Sequence, residues 1–253
     1  MADIDNVNII ELCNQSLGLL GAEGIVLDGT SQNHTYCELF YENDRDEMLE
    51  SHRWNFAKKR AYAIQTTNPL FGPDNAFTKP SDCLKVWSID QDADAVFEVE
   101  GTLIVTDHGD AAPDWATATA YIVGQPVSND DVTYVCKVAH TSGALDDEPG
   151  TGAVEDTYWT SQSGDYKVLP VEYVYQNTSV TSWSYAFKRC VILRLAISLI
   201  SPITQDSKTA LNLQAMLYGS KTNLGYHQLA KSFDAQEGGA IAVSTNSFLD
   251  ARR

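Results

Sequence analysis

The sequence predicts an α+β fold: a helical bundle built from N- and C-terminal helices, a small antiparallel β-sheet, and a small inserted all-β module. Three observations predict it. Apolar residues recur at helical spacing near both ends of the chain, and they alternate with the period of a strand in short segments between Trp54 and Asp107. Over residues 113–162 helical signals vanish while aromatic and turn residues concentrate. Terminal helices that flank a central sheet pack together as a bundle. A chain of 253 residues, 43% hydrophobic and 20% charged, is ample for a packed core and unlike a disordered one.

Taken in order, residues 4–20 predict an amphipathic helix, with Val7, Ile10, Cys13, Leu17 and Leu20 at spacings of three and four. Gly21 and Gly24 stop it. The spacing Gly18-x-x-Gly21-x-x-Gly24 follows a helix instead of a strand, so it reads as capping and not as a phosphate loop. A second helix runs from about Ser31, a good N-cap, to His52. Cys37, Phe40, Tyr41 and Met48 give its apolar face, and Glu42, Asp44, Asp46, Glu47 and Glu50 read as its solvated face instead of a metal site. Pro69, Pro73 and Pro80 punctuate the next stretch, where Leu84–Trp87, Phe97–Val99 and Leu103–Val105 predict short strands.

The insert carries eight acidic residues against the single Lys137. In it Val132, Tyr134, Cys136 and Val138 share one face of a strand. Val168–Tyr175 predicts a returning strand. A helix capped by Thr181 or Ser182 then runs to Ile200 and ends at Pro202. Its all-round apolar content between Val191 and Ile200 predicts burial in the bundle. Asp206 caps a last helix to about Ala235, which Gly219 and Gly225 weaken. The expected domains are residues 1–112 with 163–236 as a body, 113–162 as the insert, and 237–253 as an extended C-terminal tail.

Seventeen basic and 34 acidic residues give a net charge of −17, which repels phosphate backbones and argues against sequence-specific nucleic-acid binding. The wall of a DNA conduit is compatible with that charge. Five scattered cysteines without a CxxC pair read as buried free thiols, not as a zinc site or disulfide framework. MADIDNVNII shows no basic region before an apolar core, and no stretch is long enough to span a bilayer. The expectation is folding and assembly in a cytoplasm, without membrane insertion. No catalytic motif is visible, no cofactor is implied, and no two histidines share metal-ligand spacing. His108 beside Asp107 and Asp110 reads as an ordinary turn, and Asp146-Asp147-Glu148 are too close in sequence for opposed glycosidase roles. The expected catalytic set and metal set are therefore empty.

Two segments resemble the head-to-tail adaptor family of short-tailed bacteriophages, also called tail tubular protein A. They are Leu12-Cys13-Asn14-Gln15-Ser16-Leu17-Gly18-Leu19-Leu20-Gly21 and the longer Phe40-Tyr41-x-x-x-Arg45-Asp46-x-x-Leu49-x-x-His52-x-Trp54-Asn55-Phe56-Ala57-x-x-Arg60. Pro80–Val86, Glu172–Tyr175, Ser198–Thr204 and Asp234–Gly238 are similar to later parts of that family. The resemblance covers residues 1–110 and 165–240. It implies a virion protein of the tail, with twelve copies ringed below the portal protein, a nozzle protein at the opposite end and tail fibres nearby. It also implies a C-terminal tail that docks on the portal. Phe248 and Leu249 would anchor it, and Arg252 and Arg253 would pair with carboxylates. Trp54, Asn55 and Phe56 are assigned to folding.

Trp115-x(5)-Tyr121-x-x-Gly124-x-x-Val127, followed by Tyr134, Pro149 and Trp159, resembles a small chitin-binding-type carbohydrate module. Trp115, Tyr121, Tyr134 and Trp159 are the candidate glycan-binding residues, because aromatic rings stack on the apolar faces of sugars. The positions where such modules often place an exposed aromatic pair hold Ala139 and His140. For Trp115, Tyr121 and Trp159 the core of a small domain is the favoured reading over a sugar platform, since about 50 residues need large side chains to build any core. The leading expectation is a structural adaptor. The alternatives are a glycan-binding adsorption protein working through the insert on a host surface glycan, and a capsule-degrading glycan hydrolase.

Overall fold

The computed structural model describes residues 4, 6–27, 29–91, 94–143 and 147–237. The elements in chain order begin with helices α1 (Val7–Leu19) and α2 (Gln32–Glu50). Strands β1 (Lys58–Ile64), β2 (Asn75–Thr78), β3 (Cys83–Ile89), β4 (Glu98–Glu100), β5 (Leu103–Thr106) and β6 (Asp110–Ala111) follow. Next come β7 (Ala120–Tyr121), β8 (Pro126–Asn129), β9 (Val132–Cys136), β10 (His140–Thr141), the single turn α3 (Glu155–Tyr158) and β11 (Trp159–Ser161). The chain then forms β12 (Lys167–Tyr175), α4 (Tyr185–Ile203), α5 (Ser207–Tyr218) and α6 (Tyr226–Glu237). The fold is α+β, as the sequence predicts. It divides into two compact units: a helical one (residues 1–57 and 177–253) and a β one (residues 58–176). The boundaries fall at the edges of the sheet instead of at the edges of the insert, so the sheet groups with the insert and not with the helices.

In the helical unit α4 is the axis. Leu195 and Leu199 on it are fully buried, together with Phe187, Cys190, Val191 and Leu193. Its N-cap is Ser184, whose hydroxyl accepts from the Phe187 amide, and not Thr181 or Ser182, which belong to a preceding 3-10 turn. Pro202 lies inside the last turn instead of ending the helix at Ile200. Proline has no amide hydrogen to donate there, while the Thr204 and Gln205 amides beyond it still donate to Ile200 O. The expected single last helix is two: Gly219, at φ +95°, closes α5, and a Cβ there would meet Asn223 O at 2.8 Å. Asp206 caps α5 as predicted, accepting from the Lys208 amide at 2.9 Å.

α2 differs from its expected solvated face at one carboxylate. Asp44 is 3% exposed and faces α4, where the Ser198 hydroxyl donates to it at 2.9 Å and Arg194 lies 3.4 Å away. Burial raises its pKa to about 6, against the opposing pull of Arg194 and Ser198. The alternation of charge on α2 hides this, since one buried acid in a run of acids has no signature of its own.

In the β unit, β12 is the central strand. It pairs antiparallel with β1, from Lys58↔Val174 to Ile64↔Val168, and with β3 on its other side. A second sheet, in the order β2-β5-β4, closes over it, and Phe77, Ile89, Ile104 and Leu169 are wholly buried between them. β6 pairs with the start of β12, Asp110↔Val168 and Ala111↔Lys167. The strand that leads into the insert and the strand that leaves it are therefore hydrogen-bonded neighbours, and the insert sits on a two-stranded stem.

Candidate functional site

Two regions hold the residues that the sequence singles out. The first is the insert, built of a three-stranded sheet in the order β11-β9-β8 and the short pair β10-β7. Tyr121, Val127, Tyr134, Cys136 and Trp159 form its core, with Trp115, Val132 and Tyr158 packed half-buried against it. Trp159 is 3% exposed and donates its indole N–H to Asp147 O at 2.7 Å. Tyr121 is 4% exposed, and its hydroxyl donates to Ala116 O and accepts from the Ala116 amide. Tyr134 is 8% exposed and packs under Gly150, whose φ of +89° and absent Cβ leave room for the phenol oxygen. Three of the four candidate glycan-binding residues, Tyr121, Tyr134 and Trp159, thus lie in the core, the reading that the sequence favours for Tyr121 and Trp159, and a ring enclosed there cannot stack on a sugar. Trp115 is half-buried, and its indole nitrogen is enclosed without a hydrogen-bond partner.

The surface of the insert is led by residues that the sequence reading did not single out. Tyr158 is half-exposed and lies on the imidazole of His140, with ring centroids 4.2 Å apart and planes inclined by 30°. Ile122 and Val123 stand out at 68% and 64% exposure in the turn before Gly124. His140 occupies one of the two positions where an exposed aromatic pair was expected, and Ala139 the other. No spacing rule links 140 to 158; they meet because Lys137 N donates to Tyr158 O, fixing α3 against the end of β9.

The insert also brings together a thiol, an imidazole and a carboxylate. Cys136 Sγ is 3.9 Å from His140 Nδ1, and His140 Nε2 is 3.6 Å from Asp147. The order imitates a nucleophile, a base and an orienting acid, but the protons are in the wrong places. His140 Nδ1 lies 2.8 Å from Val138 O, so it carries a proton and donates, and it cannot accept one from the thiol. Burial raises the Cys136 pKa, which disfavours the thiolate. Asp147 accepts two contacts from the Gly143 amide and serves as a loop clamp. Asp146 lies outside the described residues, and Glu148 accepts from Asn129.

Residues 114–160 match carbohydrate-binding module family 5/12. No curated protein matches the chain. The insert is therefore similar to a carbohydrate-binding module, a non-catalytic class of domain. The match ends before the stem, and it covers neither the helices nor the main sheet.

The second region is the hub of the helical unit. Trp54 is fully buried, donates to Met48 O at 2.9 Å, and packs edge-on against Phe187 with centroids 5.0 Å apart. Asn55 is held at both ends of one residue: its amide donates to the Asp234 carboxylate at 2.9 Å and its side chain to Asp234 O at 2.6 Å. His52 is 3.4 Å from the same carboxylate, and Ser51 lies 2.8 Å from His227 Nε2. Burial, then the charges of Lys231 and His52, lower the His227 pKa to about 4. His108, read from the sequence beside Asp107 and Asp110, instead meets Asp90 at 3.2 Å. All five cysteines are free and buried. Among the described residues no three His, Cys, Asp or Glu side chains gather as a metal site, and no helix is long and apolar enough to cross a membrane. The tail residues Phe248, Leu249, Arg252 and Arg253 lie outside the described residues.

Proposed function

We propose that the chain is a structural virion protein, a head-to-tail adaptor that joins the portal ring of a short-tailed bacteriophage to the tail nozzle and lines part of the DNA conduit. One observation carries this reading. Segments that resemble the adaptor family, remote from one another in sequence, pair within each unit. Asn55 of the Trp-Asn-Phe-Ala motif holds Asp234 of the C-terminal motif. Arg60 bonds Glu172 at 2.9 Å, and the Tyr173 hydroxyl donates to Asp82 at 2.9 Å. The resembling residues are thus the ones that close the fold, which supports a shared architecture over a chance run of letters.

A second support is the helical unit's surface. Tyr185, Leu211, Leu224 and Phe233 are each more than half exposed, which suits a chain whose apolar side chains are covered by neighbours in an assembly. In this reading twelve copies form the ring, the C-terminal tail with Phe248, Leu249, Arg252 and Arg253 docks on the portal, and tail fibres attach nearby. The chain has no catalytic role and needs no cofactor. Quantitative mass spectrometry of purified virions tests this: the chain is expected in equal copy number with the portal. A copy number far below that would overturn it.

The match of residues 114–160 favours a second, compatible function, in which the insert holds the particle to a host surface glycan. The half-exposed Trp115 and Tyr158, the latter backed by the enclosed His140 ring, are the aromatic side chains available for it, since Tyr121, Tyr134 and Trp159 are core. Full-length protein is expected to be retained on immobilised chitin and released by Tyr158→Ala. Equal retention of the variant would remove this surface from the account.

A further inference from the structure

An opening lies on the β unit, outside the stretch that matches the carbohydrate module. It is a cleft of about 620 Å³ between the β1–β2 edge and the segment that leaves the insert. That volume falls within the roughly 300–1,000 Å³ of small-ligand clefts. Its wall is held in place by β9 of the insert: Thr133 Oγ1 donates to Tyr166 O at 3.0 Å, and the Tyr166 amide donates back to Thr133 Oγ1 at 2.9 Å. The Gln65 amide donates to Lys167 O, which ties the opposite wall to the start of β12.

The chemistry of the wall is specific. Tyr62 and Tyr166 line the cleft along with Thr66, Thr67 and Thr78. Lys79 is its one charged side chain among the described residues. In a chain with 34 acidic residues, a cleft of this size without a carboxylate is a departure from the surrounding surface. Tyr62 is 44% exposed although it sits in the middle of a strand. Aromatic rings flanked by neutral hydroxyls suit a ligand with apolar faces and hydroxyl edges.

We propose that this cleft is a saccharide-binding site that takes an oligosaccharide, with the Lys79 ammonium positioned for one acidic group on it. The rings stack on pyranose faces, and the threonine hydroxyls exchange hydrogen bonds with sugar hydroxyls. The site is separate from the surface of the carbohydrate-module-like insert, and it does not depend on the adaptor reading.

Isothermal titration of the full chain with three hexasaccharides tests it: oligogalacturonate, maltohexaose and chitohexaose. At least one is expected to bind at millimolar concentration or below. Tyr62→Ala is expected to weaken that binding about tenfold, as loss of one stacking partner does, with no change in the melting temperature. Lys79→Met is expected to weaken oligogalacturonate alone. Absence of binding by all three would overturn the proposal. So would binding that Tyr62→Ala leaves intact and Tyr158→Ala abolishes, which would place the ligand on the insert.

Discussion

The indole of Trp54 fills the space between α2 and α4 and also closes a backbone carbonyl, so its loss opens a cavity and strands an acceptor. Trp54→Ala is expected to cost about 3–5 kcal/mol in urea unfolding of the helical unit. A change below about 1 kcal/mol would show that the hub is not where the unit is held. Trp159 has the same design in miniature, and its alanine variant is expected to unfold the insert instead of cleanly removing a ligand contact. From the sequence both residues are only tryptophans with plausible neighbours. What decides their role is a partner for the indole N–H, Met48 O or Asp147 O, and neither is predictable from spacing. His227 supplies the pH dependence at this scale. Its folded pKa of about 4 lies below the usual 6.5, so the fold favours the neutral ring. The stabilisation is complete above about pH 6.5 and is lost as pH falls toward 4. The difference in stability between wild type and His227→Asn is expected to shrink across that window when unfolding is followed from pH 7 to pH 4, and a pH-independent difference would contradict the assignment.

Between elements, the seam of α2 and α4 is polar at one place. Arg194 reaches Glu47 at 2.6 Å and Asp44 at 3.4 Å, while Ser198 donates to Asp44. Arg194→Met leaves a buried carboxylate without its cation, at an expected cost of about 3 kcal/mol near pH 8. The loss is expected to be smaller at pH 5, where Asp44, with a pKa of about 6, takes up a proton. Urea titrations of the variant at both pH values check this, and an equal cost would show that Asp44 is not the group left behind. The burial of α4 was legible in the sequence because its apolar residues go all round the helix. The polar seam was not, because Asp44 sits among acids that do face water. The break between α5 and α6 was half legible: Gly219 and Gly225 weakened the pattern, but only the close approach of Gly219 to Asn223 shows why glycine is needed there. β1 was missed, since Lys58-Lys59-Arg60 gives a strand little apolar alternation, and its pairing with β12 outweighs that.

As a whole, the chain is a helical unit made of its two ends and a β unit in its middle, with the insert on a paired stem. Because the stem strands are neighbours, a short turn joining Ala111 to Lys167 is expected to leave the main sheet folded. The circular dichroism and melting of that deletion variant measure it, and collapse of the sheet would show that the insert is part of the core. The α+β class was readable from periodicity and composition. That the sheet groups with the insert was not, since grouping depends on which strands pair with β12. The proposed adaptor function is argued from residues that close this architecture, and it is tested most directly by assembly. The mass of particles formed when the full chain is mixed with its phage's purified portal, with and without residues 237–253, is the decisive measurement. The adaptor account predicts a small species alone that adds about twelve copies to the portal and fails to add without the tail. A full-length chain that leaves the portal's mass unchanged would contradict it.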